Sequence, residues 1–313
     1  MKKIFLPTLL AGIFAALLCI GCGSEKNSTA YTATKKIYFI SMDGKSTFQN
    51  DIDKGCRQAV EKLGNIEYKL FAPKAREIPE QAKCIDMAVA EKPDAILISA
   101  ISVTEVNENL KKAEQEGIKI FYVDSAAAYE GVMTLTTDNE AAGKIAGKTM
   151  LKALKEAGIE SGTIEVAMNE FSTQNTALRD KGFRSVFEGT PYNITSTFYM
   201  NGDFQAMKNE IAAHPDYVGF FCANQKSTVA VGEQMKEFQS SQIVVGFDAA
   251  EETLAMIREG FVYATIKQNA EKMGYDGVEY AVKTLEGTFN ETNVVKDTGV
   301  NVITKENVDQ QDK

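Results

Sequence analysis

From Lys35 onward, short apolar runs alternate with stretches whose apolar residues recur at helical spacing. Residues 36–41, 66–71, 95–99, 118–123 and 132–135 are rich in β-branched and aromatic side chains and are bounded by turn formers. That is the pattern of strands buried on both faces. Between them, residues 50–63, 79–90 and 104–116 place apolar side chains three and four apart, which predicts amphipathic helices. The alternation then restarts. Helices are expected over 138–157, 176–187, a stretch ending near Ala213, 227–237, 251–258 and 271–285. Strands are expected over 162–167, 194–198, 217–222, 243–247 and 262–266, with two short ones near 294–296 and 300–303. Strands alternating with helices predict parallel sheets with helices on their faces. Two such series in tandem imply two similar lobes rather than one very wide sheet.

The first residues obey a different rule. Met1-Lys2-Lys3 is basic, and an apolar run from Ile4 to Ile20 follows, interrupted by Pro7, Thr8 and Gly12, as in a secretory leader. The run ends in Cys19-Ile20-Gly21-Cys22. This resembles a bacterial lipobox, which implies cleavage behind Gly21 and diacylglycerol attachment to Cys22. Cys19 stands where such a box usually has Leu, so a plain leader or an uncleaved anchor is the competing reading. Residues 23–34 are small and polar without periodicity, as in a flexible tether. No later apolar stretch approaches the roughly 20 residues of a membrane span. The folded part is therefore expected to be exported and soluble.

Composition narrows the function classes. The 313 residues are 44% hydrophobic and 25% charged, the balance of a globular protein with room for two domains. The net charge of −9 becomes more negative if Lys2 and Lys3 leave with a leader. Such a chain suits neither nucleic acid nor an anionic lipid surface, because both need a basic face. The single histidine, His214, lies in His214-Pro215-Asp216 at a helix end, where capping or solvation suits it better than catalysis. A His-rich metal site is impossible. Cys56, Cys84 and Cys222 are expected as buried apolar thiols. Crossovers that change direction put the helices carrying Cys56 and Cys84 on opposite faces of a sheet, which rules out a disulfide between them.

Several motifs are rejected. Asp43-Gly44-Lys45-Ser46-Thr47 contains the end of a P-loop, but Phe39, inside a strand, stands where its first Gly is needed. Gly143-x-x-x-Gly147 lies on an amphipathic helix and reads as close packing rather than membrane dimerisation. Neither Gly-x-Ser-x-Gly nor His-Glu-x-x-His occurs, so no enzyme, metal or cofactor is expected.

Four segments carry a family resemblance. Val244-Val245-Gly246-Phe247-Asp248 is similar to the strand-then-Gly-Phe-Asp signature of the sugar-binding family that includes ribose-binding and galactose-binding proteins. Ala223-Asn224-Gln225-Lys226-Ser227 resembles that family's Asn-containing strand end. Asp138-Asn139-Glu140-Ala141-Ala142-Gly143 resembles its entry into the second lobe. Val302-Ile303-Thr304-Lys305-Glu306-Asn307-Val308 resembles its carboxy-terminal strand. Order and spacing agree, over about residues 35 to 309. The resemblance implies an α/β chain of the type I periplasmic binding protein fold: two Rossmann-like lobes with parallel sheets, joined by a three-crossing hinge. The crossings should fall near Thr137–Asp138, Gln268–Asn269 and Asp297. The domains would then be a leader over 1–21, a tether over 22–34, an N-terminal lobe of 35–137 plus 269–296, and a C-terminal lobe of 138–268 plus 297–309.

The same resemblance nominates ligand-binding residues at the carboxyl ends of strands, where open α/β sheets hold ligands. Phe48 resembles the aromatic that stacks on a sugar ring, with core packing as its alternative; Ser46 and Gln49 flank it and could bond hydroxyls. Asp124 matches a sugar-binding Asp, and Ser125 follows where the ribose pattern has Arg. Asn224 and Asp248 end two strands of the second lobe, where a carboxylate and an amide can hold hydroxyls. Asp248 could instead cap the next helix. Gln268 matches a hinge Gln that reaches the ligand. Arg179, in Arg179-Asp180-Lys181-Gly182-Phe183, matches an Arg that more often supports a loop than touches the ligand. The ribose-type ligand Arg falls on Ala177, and Asn175 could take over part of its task. Tyr199 is the pick for an aromatic within Phe198–Asn201. With Arg absent at Ser125 and Ala177, ribose itself is disfavoured against a neutral polyol or another sugar. An amino-bearing ligand stays open, with Lys45 or Lys226 to balance the two acids otherwise. The expected protein is a monomeric lipoprotein on the extracytoplasmic face that closes on a sugar or polyol and delivers it to an ABC permease in the membrane. A chemoreceptor or sensor kinase is the alternative partner. A DNA-binding repressor would need a basic helix-turn-helix before residue 35, where the leader lies.

Overall fold

The computed structural model describes residues 34–169 and 174–311. The leader, Cys22 and the tether up to residue 33 lie outside the described residues. The chain begins with β1 (Lys35–Ile40), α1 (Thr47–Leu63), β2 (Ile66–Phe71), α2 (Ile78–Ala90), β3 (Ala95–Ile98), α3 (Asn107–Gln115), β4 (Lys119–Val123) and β5 (Met133–Thr136). It continues with α4 (Asn139–Glu156), β6 (Gly162–Met168), α5 (Gln174–Phe187), β7 (Tyr192–Ile194), β8 (Phe198–Tyr199), α6 (Phe204–Ala213), β9 (Gly219–Cys222), α7 (Gln225–Phe238), β10 (Ile243–Phe247), α8 (Glu251–Glu259) and β11 (Ala264–Gln268). It ends with α9 (Ala270–Leu285), β12 (Val294–Asp297), β13 (Val300–Thr304) and a 3-10 turn over Val308–Gln310.

The described strands form two sheets, ordered β12-β5-β4-β3-β1-β2 and β13-β11-β10-β9-β6-β7, with β8 also pairing β6. The central strands β3, β9 and β10 are buried at every position, as their unbroken apolar runs require when helices cover both faces. In the first sheet one core carries Ile37, Phe39, Leu97 and Phe121 against α1 and α9. The other carries Tyr38, Ile96, Ile98 and Tyr122 against α2 and α3. The period-two split of each strand between those cores follows from the pleat. The second sheet repeats the arrangement around Phe183, Phe221 and Phe247 on one face and Met207, Phe220 and Met235 on the other.

Each lobe has one helix pair in close contact, α1 with α9 and α4 with α5, and both pairs depend on reciprocal glycines. A Cβ at Gly55 would fall 1.8 Å from the Glu271 carbonyl oxygen, and one at Gly274 2.0 Å from that of Ile52. A Cβ at Gly143 would fall 2.1 Å from the Arg179 carbonyl oxygen, and one at Gly182 2.0 Å from that of Glu140. The close packing expected of the Gly143-x-x-x-Gly147 stretch is thus observed.

The chain passes between the sheets three times: from β5 into α4, from β11 into α9, and from β12 to β13. Thr298 ties the third passage to the first, its N and Oγ1 donating to the Thr136 carbonyl at 2.9 and 3.1 Å. The Asp138 amide donates to Asp297 Oδ1 at 2.9 Å.

Four expectations change. The strand expected over 194–198 is two short pieces: β7 pairs with the start of β6 and β8 with its end, and the ladder is interrupted between them after the Thr195 amide bonds the Ile164 carbonyl at 3.1 Å. The terminal strand β13 runs antiparallel to β11, because it enters the second sheet directly from the hinge without a crossover helix. The first helix starts at Thr47, so Phe48 and Gln49 lie in its first turn rather than in a loop. Cys84 is only half-buried, because it sits beside the stripe of Gln81, Ile85 and Ala88 that α2 turns inward. Cys56 and Cys222 are buried thiols, and Cys56 and Cys84 pack against opposite faces of the first sheet.

Candidate ligand-binding site

The nominated residues gather at the carboxyl ends of the strands of both sheets. Asp124 follows β4 and Asp248 follows β10, and the two are built alike. Both adopt a left-handed backbone with φ of 67°. The Asp124 amide bonds the Leu135 carbonyl at 2.8 Å, and the Asp248 amide bonds that of Ile266 at 3.0 Å. Thr136 Oγ1 donates to the Asp124 carbonyl and Thr265 Oγ1 to the Asp248 carbonyl, each at 2.7 Å. A threonine on the neighbouring strand therefore clamps each turn through its backbone carbonyl. Left-handed backbone is costly for a non-glycine residue, and its occurrence at both matching positions marks them as constrained. Asp248 lies two residues before Ala250, which caps α8, so it is not that helix's cap.

In the first lobe a hydrogen-bond chain leads to Asp124. Gln49 is buried; its Oε1 accepts from the Met42 amide at 3.2 Å and its Nε2 donates to Ser99 Oγ at 3.1 Å. Ser99 Oγ reaches Asp124 Oδ2 at 3.5 Å, and Ser125 Oγ donates to the same oxygen at 3.0 Å. Ser46 caps α1 through its backbone, and its amide donates to Asp43 Oδ1 at 2.7 Å. Phe48 is half-buried with its ring packed on the first-lobe core.

In the second lobe Gly246 leaves room for Thr228, since a Cβ there would fall 2.2 Å from Thr228 Cγ2. The Thr228 hydroxyl accepts from the Phe247 amide at 3.0 Å and has the carbonyls of Asn224 (2.9 Å) and Phe247 (3.1 Å) as acceptors. This is the physical content of the Gly-Phe-Asp signature: a small residue lets α7 grip the strand end that presents Asp248. Asn224 caps α7, its Oδ1 accepting from the Ser227 amide at 3.0 Å. That oxygen is committed, which leaves the side-chain amide N–H groups as its remaining polar capacity. Gln268 Nε2 donates to Asp248 Oδ1 at 2.8 Å. Among the described residues, Asp124 Oδ1 and Asp248 Oδ2 accept no hydrogen bond.

Arg179 on α5 is 4% exposed and interacts electrostatically with both acids. Its Nε donates to Asn139 Oδ1 at 2.8 Å and its Nη1 to the Ala223 carbonyl at 3.0 Å. Its guanidinium stacks over the Phe247 ring, 4.2 Å from the centroid. Burial pulls its pKa down, while Asp248 and Asp124 oppose that shift. Asp124 is pushed above the usual carboxylate range by burial, against the Ser125 hydroxyl and the positive charges of Arg179 and Arg76; Asp248 adds to the rise. The two acids, from different sheets, are close enough to repel one another across the cleft, and Arg179 neutralises part of that charge.

The remaining nominees are more peripheral. Asn175 lies one turn before Arg179 on α5. Tyr199 ends β8, half-buried against the second-lobe core. Lys45 and Lys226 are exposed. Sequence reasoning missed Ser99, the clamps Thr136 and Thr265, and Arg76 on the loop between β2 and α2. Only the recurrence of a threonine at the end of β5 and within β11 hinted at the clamps. Arg76 carries no local signal, because its approach to Asp124 is set by the loop's path. A cavity of about 420 Å³ lies at the opposite ends of β10 and β11, beside Ala153, Ile257, Phe261 and Tyr263, and shares no residue with the cleft.

Residues 37–288 match the family described as "Periplasmic binding protein domain". The ribose import binding protein RbsB of Escherichia coli (strain K12) is 28% identical over 241 residues, covering 74% of this chain and 79% of that protein. A sugar-binding protein of a sugar ABC transporter from Bacillus halodurans superposes with a TM-score of 0.80 at 26% identity, covering 88% of this chain and 99% of that one. A carbohydrate transporter solute-binding protein from Agrobacterium radiobacter, solved with D-arabinose, superposes at 0.78 with 27% identity, covering 90% and 97%.

Proposed function

The chain belongs to the periplasmic binding protein family, and we propose that it is the sugar-binding component of an ABC importer, closing its two lobes on one sugar or polyol and presenting it to a membrane permease. The observation that carries this reading is the matched pair Asp124 and Asp248, held in the same strained turn at corresponding places in the two lobes and facing one cleft. Each carboxylate has one oxygen engaged by the protein and one without a hydrogen-bond partner among the described residues, so each can accept ligand hydroxyls in a fixed direction. Asn224 supplies donors from the second lobe. Contacts from both lobes stabilise only the closed arrangement, which is how a ligand shifts an open–closed equilibrium.

The moving units are residues 35–137 with 269–296 and residues 138–268 with 297–309. Ser46, Phe48, Gln49, Ser125, Asn175, Arg179, Tyr199 and Gln268 complete the site, with Arg179 and Gln49 supporting the carboxylates. The chain is exported and held to the outer face of the membrane by a lipid on Cys22. The family is one of binding proteins, and no catalytic step is part of this reading.

Isothermal titration of residues 23–313 with D-arabinose, D-ribose, hexoses, inositols and amino sugars tests the reading. Binding of one of them in the micromolar range or tighter is expected. Asp248→Ala should weaken it about 100-fold or more, since it removes charge-assisted bonds worth roughly 1.5–3 kcal/mol each. A protein freed of co-purified ligand that binds none of these compounds would contradict the sugar reading.

A further inference from the structure

Thr137 is buried at the first crossing, one residue after β5, and its hydroxyl bonds one residue of the ligand-binding set, Gln268. Its Oγ1 donates to Gln268 Oε1 at 3.0 Å. The acceptor-only Asp248 carboxylate decides which end of the Gln268 amide faces it, and the Thr137 hydroxyl, able to donate or accept, holds the other end. With Oε1 held by a donor, Nε2 points the other way and donates to Asp248 Oδ1 at 2.8 Å. Were the amide flipped, its oxygen would face the Asp248 carboxylate and its NH2 would face a hydroxyl that could donate only elsewhere. Gln268 is 6% exposed and ends β11 at the second crossing, so it bridges two hinge strands. The neighbouring Thr136 clamps the Asp124 turn through Oγ1, while its carbonyl accepts both bonds from Thr298 at the third crossing. All three crossings therefore meet within two hydrogen bonds of both acids.

We propose that Thr137 is a positioning residue that anchors the Gln268 side chain, and through it the Asp248 carboxylate, so that the hinge and the cleft are coupled by the relay Thr137–Gln268–Asp248. The proposal rests on the assignment of Asp248 to the ligand, but the relay has its own signature. Among the described residues the Thr137 hydroxyl is joined to Asp248 only through the Gln268 side chain. A second route, from the Thr137 carbonyl through Asn139 and Arg179, does not use that hydroxyl, so loss of the hydroxyl is coupled to Asp248 only if Gln268 transmits.

The experiment is a double-mutant cycle of Thr137→Val and Asp248→Asn, read by urea unfolding of the ligand-free protein, and repeated in a Gln268→Ala background. The expected result is non-additivity of about fivefold to tenfold in the unfolding equilibrium constant, within the range seen for residues sharing one network, disappearing in the Gln268→Ala background. Thr137→Ser, which keeps the donor, should restore wild-type behaviour. If Thr137→Val does not fold, Thr137→Ser and Gln268→Glu replace it. Gln268→Glu sets a carboxylate against Asp248, and its loss of stability at neutral pH should recover in acid. Additive effects, or coupling that survives removal of Gln268, overturn the relay. A pH-independent Gln268→Glu variant does the same. Titration with D-arabinose and D-ribose adds the binding readout: Thr137→Val should raise Kd about tenfold, the worth of one buried hydrogen bond, and an unchanged Kd overturns the role in binding. If the wild type binds neither sugar nor any other compound tested above, the sugar reading fails, while the unfolding cycle still decides the relay.

Discussion

At the scale of single residues, two kinds of buried charge behave differently. Arg179 is compensated by Asn139, a carbonyl, an aromatic face and two acids, so it stays charged inside the protein. Glu165 on β6 is 1% exposed, and neither of its carboxyl oxygens has a hydrogen-bond partner among the described residues. Burial, with Glu210 nearby on α6, pushes its pKa from 4.5 up to about 8. A carboxyl whose pKa is raised by folding binds more protons folded than unfolded between those two values. Stability is therefore full below about 4.5 and declines as pH rises toward about 8. The decline should be roughly 2–4 kcal/mol, less than the full shift implies because the site can relax and admit water. Urea unfolding at pH 5, 7 and 9 should trace this slope, and Glu165→Gln should flatten it. An equal slope in the variant would assign the effect elsewhere.

At the scale of elements, the glycine crossings set how closely α1 meets α9 and α4 meets α5. Gly55→Ala would drive a methyl carbon into the Glu271 backbone, and neither helix can yield without displacing the sheet beneath. We expect a loss of about 3 kcal/mol or more, at the upper end for overpacking. Gly143→Ala should cost a similar amount and also weaken ligand binding, because α5 carries Arg179 and Asn175. Thermal denaturation and titration separate the two effects. If Gly143→Ala leaves affinity unchanged, the α4–α5 contact does not position the cleft. The split of β7 from β8 belongs to this scale too. Between them, Arg184 from α5 bonds the Thr195 carbonyl at 2.7 Å and Thr197 Oγ1 at 3.1 Å, so these groups are satisfied by a helix side chain where the ladder is interrupted.

At the scale of the whole molecule, the repeated clamps, glycine pairs and sheet orders describe two lobes of the same design, joined by three strands of backbone. Small-angle scattering should register a smaller radius of gyration when the bound sugar is added. Asp248→Ala at the same sugar concentration should not contract, and a ligand that binds without contraction would exclude lobe closure. The proposed lipid attachment is tested on the whole chain. In cells, Cys22→Ser should move the protein from the membrane fraction to the soluble one, whereas an unchanged membrane fraction would exclude the lipid on that residue.

What the sequence by itself determined was the order and kind of nearly every element, the two sheets and the strand ends that bear Asp124, Asn224 and Asp248. Those features are recorded locally, since hydrophobic period reports which face is buried, and turn residues report where a strand stops. Tertiary structure alone decided which partners those residues meet. The antiparallel course of β13, the Asn224 cap bond, the amide direction of Gln268 and the approach of Arg76 to Asp124 each depend on a residue or a chain path that local pattern does not encode. Glu165 is the sharpest case. Alternation along β6 puts it opposite Ile164 and Val166, on a face that reads as solvent-facing until α6 and α7 cover it. A period tells a residue which way to point, but the charge or hydroxyl waiting there comes from another part of the chain, and only packing brings it within reach.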